Sequence, residues 1–484
     1  MNKELRRVSI ATLAMFLALF VSTSVIQVFA VDDLRADDRN VRTLYASYSA
    51  ERGPILVGGS PIAESVPVDD EYEFLRVYPE PESYAAVTGY FTLNQGTTGI
   101  EGAYNDFLTG TANEQFLDQL AAVVTGQNPR GAAVELTLDR AVQQAAIEAM
   151  GDQRGSIVAI EPATGRILAL VSTPTYDPNR LASHQTSEVL SAYDELLAAE
   201  GDPLINRGIS GDLYAPGSVF KLLVAAAALD SGAFDSGDEV PNPPTLTLPL
   251  STAVVSNSGG STCGGGETVT LANALRLSCN VPFAEIGLEL GQDTIGNYAE
   301  AFGFGTAHAI PMIATPSRYP VGMDDAQLAL SSFGQYDVRV TPLQIAMISA
   351  AIANGGNLMQ PTLLDRILAP DLATLEDPEP VLLSQPIARS TAGELTALMV
   401  DGVANGAASN ARIEGVDVAG KTGTAENGPN EPYTLWFTGF APADNPQVAL
   451  AVVIENGGGL GQAAFGNQIA APIAKRVLEA VLNR

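Results

Sequence analysis

The stretch Tyr214-Ala215-Pro216-Gly217-Ser218-Val219-Phe220-Lys221, running on into Leu222 to Leu229, decides how the rest of this 484-residue chain is read. Pro and Gly punctuate a loop, and the Ala- and Leu-rich run after them predicts a helix. Ser218 then stands at the helix N-terminus, where free N–H groups and the dipole favour negative charge. Lys221 follows one turn later on the same face, with its amine in reach of the serine hydroxyl. A serine beside an amine is a nucleophile with a candidate base. Alone, S-x-x-K equally describes an N-capping serine and a snorkelling surface lysine.

Lysine usage sharpens the reading. The chain has four lysines, Lys3, Lys221, Lys421 and Lys475, and takes nearly all its other cations from arginine. A desolvated lysine becomes a base, whereas arginine keeps its proton. Lysine at 221 in such a chain points to chemistry that needs an amine.

Composition sets the outer bounds. A chain of this length exceeds one ordinary core, so two or three domains are expected. Hydrophobic content of 46% against 17% charged residues describes a globular protein. A net charge of −30 argues against nucleic acid or anionic headgroups as partners of the folded body. Two histidines and two cysteines leave no His- or Cys-based metal site and make a Ser-His-Asp triad improbable. No cofactor is expected.

Lys3, Arg6 and Arg7 precede an uncharged segment from Val8 to Val31, and Asp32 and Asp33 come after it. As a helix this segment spans about 36 Å, enough to cross a bilayer. The charge asymmetry places the first residues in the cytoplasm and the body outside. The rival reading is a signal peptide cleaved after Val28-Phe29-Ala30, but the apolar stretch is long for one. The expectation is a single-pass anchor over 1–31, with everything after it extracytoplasmic. Cys263 and Cys279 then lie in a disulfide-permissive compartment, which favours a bridge between them over two free thiols.

Residues 32–150 read as a mainly β scaffold or interaction domain. Ile55 begins a short strand after Arg52-Gly53-Pro54, Gly99 to Leu108 leads into a helix or turn, and Val134 to Asp139 alternates like a strand. A helical pattern runs from Arg140 to Met150. Residues 151–484 form the second domain. Gly155–Ile160 and Arg166–Val171 predict a β-hairpin. Thr341-Pro342-Leu343-Gln344 and Thr391-Ala392-Gly393-Glu394 predict capping boxes, the first helix stopping at Gly355-Gly356. Strands return at 416–426, 433–441 and 447–455 before a closing helix at 469–482. This order predicts an α+β fold, an antiparallel sheet with first and last strands adjacent and helices on both faces.

Two more motifs complete a constellation. Ser278-Cys279-Asn280, at the end of a predicted helix, is the one S-x-N in the chain; Lys421-Thr422-Gly423, in a predicted strand, is the one K-T-G. Each is weak alone. In this order, with these placements on helix and strand, they are specific.

On these motifs the chain resembles the penicillin-binding proteins and their serine β-lactamase relatives. Asn206-Arg207, Gly334-Gln335 and Thr341-Pro342-Leu343-Gln344 also look like family segments. Arg52-Gly53 and Gly99-Ile100-Glu101 resemble the pedestal of the class B members, most of all the actinobacterial penicillin-binding protein A group. The resemblance implies a peptidoglycan D,D-transpeptidase with Ser218 as nucleophile and Lys221 as base. Ser278 would relay a proton and Asn280 would hold the donor peptide. Lys421, Thr422 and Thr424 would bind its terminal carboxylate, beside a strand edge kept open by Gly423. The N–H groups of Ser218 and Thr424 would form the oxyanion hole. The implied partners are stem peptides ending in D-Ala-D-Ala, an acceptor amine, β-lactam antibiotics and a SEDS-type glycosyltransferase, in septation or elongation. A D,D-carboxypeptidase and a non-catalytic scaffold of the wall-synthesis complex are the alternatives. The chain is nearly twice the size a β-lactamase requires, and the region before 150 is too short for a glycosyltransferase domain.

Overall fold

The computed structural model describes residues 2–26, 30, 50–92, 94–115, 130–211 and 213–483. Asp32, Asp33 and the Val28-Phe29 part of the alternative cleavage site lie outside these residues. The chain opens with helix α1, Asn2–Ser24, whose apolar side chains are exposed. From Lys3 to Ser24 it is long and apolar enough to cross a membrane.

The pedestal begins with β1 (Ile55–Val57), β2 (Ser60–Pro67) and β3 (Phe74–Val77) and continues to β4 (Ala133–Leu136). Short helices at Pro81–Thr88, Gly99–Ala103 and Asn105–Thr109 lie between them, so this region mixes helix with sheet. Helix α2, Arg140–Met150, is N-capped by Asp139, which accepts from Ala141 N and Val142 N. It stands before residue 151, yet its apolar face packs into the second domain: Val142, Ala146 and Met150 share a core with Ile157, Leu168 and Val477.

β5 (Gly155–Ile160) and β6 (Ile167–Thr173) form the antiparallel hairpin. The helical body contains α3 (Lys221–Asp230), α4 (Leu271–Leu277), α5 (Asn280–Leu290) and α6 (Pro342–Ala353). After α6 come β7 (Leu364–Leu368) and β8 (Thr374–Glu376). These two leave the second domain and complete the pedestal, whose sheet order is β8-β7-β4-β1-β2-β3. β4 runs parallel to β1 and antiparallel to β7, so a strand more than 200 residues away closes the sheet. The chain then forms α7 (Arg389–Ala404), β9 (Ala419–Ala425), β10 (Thr434–Ala441), β11 (Val448–Ile454) and α8 (Ala470–Leu482).

The main sheet has the order β9-β10-β11-β5-β6, and the last strand pairs with the first through Ala449↔Ile160 to Ile454↔Gly155. Strand period 2 sends alternate residues to opposite faces. Trp436, Phe440, Ala451 and Val453 join the core containing α3 and α6, while Leu435, Phe437, Val452 and Ile454 join α2 and α8. The central strands β10 and β11 are buried throughout, as a sheet covered on both faces requires.

The two predicted capping boxes fare differently. Thr341 caps α6 by accepting from Gln344 N at 3.1 Å, but the Gln344 amide donates to Phe302 O instead of reaching back. α7 begins at Arg389, ahead of Thr391, whose hydroxyl donates to Asp230 Oδ1 at 2.8 Å. A tertiary partner outcompetes the local cap there. A complete capping box forms at Asp324 and Gln327.

Candidate active site

Three segments converge on a cleft of about 1710 Å³ lined by Ser218, Ser278, Asn280, Thr422, Gly423 and Thr424, among others. Ser218 sits in a 3-10 turn, Gly217–Phe220, that runs directly into α3. Gly217 has φ +53, and a Cβ there would lie 2.9 Å from Thr424 O. Only glycine lets the nucleophile turn approach β9 this closely. Behind it, Gly217 N donates to Gly334 O at 2.9 Å. The residues ahead of the turn are clamped as well. Tyr214 exchanges backbone hydrogen bonds with Val340, Trp436 Nε1 donates to Ala215 O, and Tyr214 OH donates to Glu455. Arg207 holds the same Glu455 oxygen at 2.9 Å.

Lys221 is fully buried at the start of α3. Its Nζ donates to Ser278 O and to Asn280 Oδ1, both at 2.8 Å. The faces of Phe283 and Phe333 lie 5.5 and 5.9 Å away. Burial, with Lys421 adding like-charge repulsion, pushes the amine well below the ordinary lysine range. A neutral amine has two N–H bonds and one lone pair. Both of its partners here only accept, so they take both hydrogens and leave the lone pair for a proton from outside. No hydrogen bond joins Nζ to Ser218 Oγ among the described residues.

Ser278 ends α4 in the left-handed conformation, φ +63, which turns the chain so that Asn280 can open α5. Cys279 between them is bonded to Cys263. Lys421 Nζ donates to Ser278 Oγ at 2.7 Å and to Thr422 O at 2.8 Å. Burial pushes Lys421 down to about 7. The two lysines thus reach the same serine from opposite sides, Lys221 at its carbonyl and Lys421 at its hydroxyl.

Along β9 the register Lys421↔Thr438 to Thr424↔Leu435 leaves the other edge of the strand open to the cleft. Gly423 faces the nucleophile loop, where a Cβ would come within 3.0 Å of Pro216 O and 3.1 Å of Trp436 Cβ. Thr422 Oγ1 donates to Ala407 O, so its proton is committed. Thr424 Oγ1 accepts from Gly466 N at 3.2 Å, so its proton is free to donate.

The chain matches the family model of the penicillin-binding protein transpeptidase domain over residues 155–479 and that of the penicillin-binding protein A dimerisation domain over 52–134. It belongs to the penicillin-binding protein transpeptidase family. Similar proteins include the peptidoglycan D,D-transpeptidase PbpA of Mycolicibacterium smegmatis, 43% identical over all of this chain and 99% of that one. The PbpA of Mycobacterium tuberculosis is 42% identical over the same shares. Among solved structures, penicillin-binding protein A of M. tuberculosis as its ceftriaxone acyl-enzyme superposes with a TM-score of 0.87. It is 41% identical, over 90% of this chain and 100% of that one.

All eight predicted reaction and substrate residues of this penicillin-binding protein line the cleft or lie directly beneath it, brought together from 218, 278 and 421. Sequence reasoning misses the clamps. Asn206-Arg207 reads as a family segment without a role, and nothing local marks Glu455 or Trp436 as neighbours of Tyr214. Asn257, a buried residue beside Asn280, carries no local signal at all.

Proposed function

We propose that this chain is a membrane-anchored peptidoglycan D,D-transpeptidase in which Ser218 forms the acyl-enzyme. The observation that carries the reading is the buried Lys221 amine, one helical turn from Ser218 with both N–H groups spent on acceptors. Its lone pair takes the Ser218 proton as Oγ attacks the D-Ala-D-Ala carbonyl, a general-base contribution of about 10²–10⁴ in rate. Backbone N–H groups of Ser218 and Thr424 receive the oxyanion, roughly 3 kcal/mol each.

Ser278 Oγ accepts from Lys421, so its own proton is available for the departing D-Ala amine. Protonated Lys421 attracts the terminal carboxylate, and Thr424, with its free hydroxyl proton, is the better donor to it than Thr422. Asn280 divides its amide between holding Lys221 and meeting the donor peptide, which lies along the β9 edge as an added strand. An acceptor amine from a neighbouring stem then resolves the acyl-enzyme, and β-lactams acylate the same serine.

α1 is the single-pass anchor, with its N-terminus cytoplasmic and the cleft outside the plasma membrane. α1 and the pedestal together are the contact for a SEDS-type glycosyltransferase. The packing of α2 on the main sheet supports starting the catalytic domain at Arg140 and ending the 32–150 pedestal before it.

Fluorescent penicillin labelling tests the nucleophile. Wild type labels covalently and Ser218→Ala does not, while circular dichroism shows both folded. Labelling of the alanine variant would show that another residue attacks. Mass analysis of products from a donor–acceptor stem-peptide pair separates transfer to the amine from hydrolysis.

A further inference from the structure

The segment 239–270, between α3 and α4, folds as two small hairpins, Glu239–Pro241 with Thr268–Thr270 and Thr245–Thr247 with Val254–Ser256. At the end of the second hairpin Asn257 is 2% exposed, a buried polar side chain outside the S-x-x-K, S-x-N and K-T-G motifs. Helix α5 has no capping side chain at Cys279, the residue before its first turn. Its leading N–H groups are satisfied from a distance instead. Asn257 Oδ1 accepts from Asn280 N and from Val281 N, both at 3.0 Å. Asn257 Nδ2 donates to Pro243 O at 3.2 Å and Ser261 O at 3.4 Å, fixing the side chain to the hairpins. The neighbouring Ser256 O accepts from Asn280 Nδ2 at 3.1 Å.

The consequence is chemical. An asparagine amide can present either its oxygen or its nitrogen to a neighbour. With Ser256 O drawing Nδ2, Asn280 must turn Oδ1 toward Lys221, where it takes one of the two amine hydrogens. If the amide turned over, two donors would face each other and the lone pair of Lys221 would be pulled to Asn280. The dipeptide Ser256-Asn257 therefore reads Asn280 twice, at its backbone and at its side chain. The disulfide Cys263–Cys279 ties the same loop to the residue before Asn280.

We infer that Asn257 is a positioning residue for acylation, setting the place and amide orientation of Asn280 and through it the direction of the Lys221 lone pair. The inference rests on the reading of Lys221 as the base for Ser218. The two fail separately: unlabelled wild type or labelled Ser218→Ala sinks that reading whatever Asn257 does.

The test is the second-order rate of penicillin acylation of the purified, detergent-solubilised full-length protein across pH, for Asn257→Ala and Asn257→Asp. Aspartate keeps the Oδ1 acceptor at a helix N-terminus and loses only the hairpin donors. Asn257→Ala is expected to acylate tenfold or more slowly, and its low-pH limb to move to higher pH as water reaches Lys221. Lys421 is the charged group that acts on Lys221, and it is unchanged in both variants. Asn257→Asp is expected to retain a third or more of the wild-type rate at its optimum. A folded Asn257→Ala with wild-type rate and limb overturns the inference. So does an aspartate variant as slow as the alanine one, and if the alanine variant fails to fold that comparison is made against wild type alone.

Discussion

Two buried clusters of charge in this chain solve opposite problems. In the pedestal, Glu101 is held at 2.6 Å by both Arg52 and Arg76, and all three are buried. Arg52 also donates to Asn105 and to Glu101 O, and Tyr78 OH donates to Glu101. Burial alone would raise the Glu101 pKa, but the two arginines overcome it and hold the carboxyl below its ordinary value. In the cleft, Lys221 and Lys421 are buried with no carboxylate beside them among the described residues, and both amines give up their protons more readily. Pairing keeps a buried charge and makes structure; withholding the partner produces a base. Arginine serves the first role because it keeps its proton, and lysine the second because it does not.

The contrast is most vulnerable at Lys221. Lys221→Arg places a permanent cation where a neutral amine is needed, so acylation is expected to fall by about 10³ or more. Stopped-flow acylation checks this, and a variant within tenfold of wild type would remove the general-base role.

Glu101→Gln tests the other cluster. It leaves two buried guanidinium groups facing an amide, and stability should drop by about 3–5 kcal/mol. Denaturant unfolding reads the loss. Acylation per folded molecule should stay unchanged, since the triad touches nothing in the cleft.

Reduction of Cys263–Cys279 comes next. Releasing a loop of this length is expected to cost about 3 kcal/mol in the chain-entropy model. It should also slow acylation by loosening Ser278 and Asn280. Alkylation of the unreduced ectodomain, followed by mass measurement, should add nothing, and two groups should appear only after reduction.

The smallest effect separates the two lysines within the cleft. Lys421 must be protonated to attract a carboxylate, and it loses its proton through about 7. Lys221 must be neutral, and burial beside the Lys421 charge holds it well below the ordinary lysine range. Acylation by a carboxylate-bearing penicillin should therefore show a falling limb as pH climbs through about 7. Lys421→Arg stays charged, so this falling limb should disappear while the rate below it drops only severalfold. A falling limb that survives the substitution belongs to another group.

Much of this architecture is legible in the chain alone. The nucleophile turn, the β5–β6 hairpin, the three late strands and α8 announce themselves through local periodicity and punctuation. The S-x-x-K, S-x-N and K-T-G motifs can be read because each is a short contiguous run, although S-x-x-K enters α3 from its turn and S-x-N bridges α4 and α5. Thr391 shows the limit. Its local pattern is a cap, but Asp230, 161 residues away, claims the hydroxyl.

The residues proposed to carry the chemistry, and their order, can be read in the linear chain, because residue type and short spacing encode reactivity and element phase. That β7 and β8 complete the pedestal sheet, that α2 packs with α8, and that Asn257 orients Asn280 are outcomes of tertiary folding. Strand pairing and buried hydrogen bonds between distant segments leave no periodic trace in either segment. The lowered proton affinity of Lys221 belongs to the same class: it comes from water excluded by Phe283 and Phe333 and from Lys421, 200 residues along the chain, not from the lysine itself.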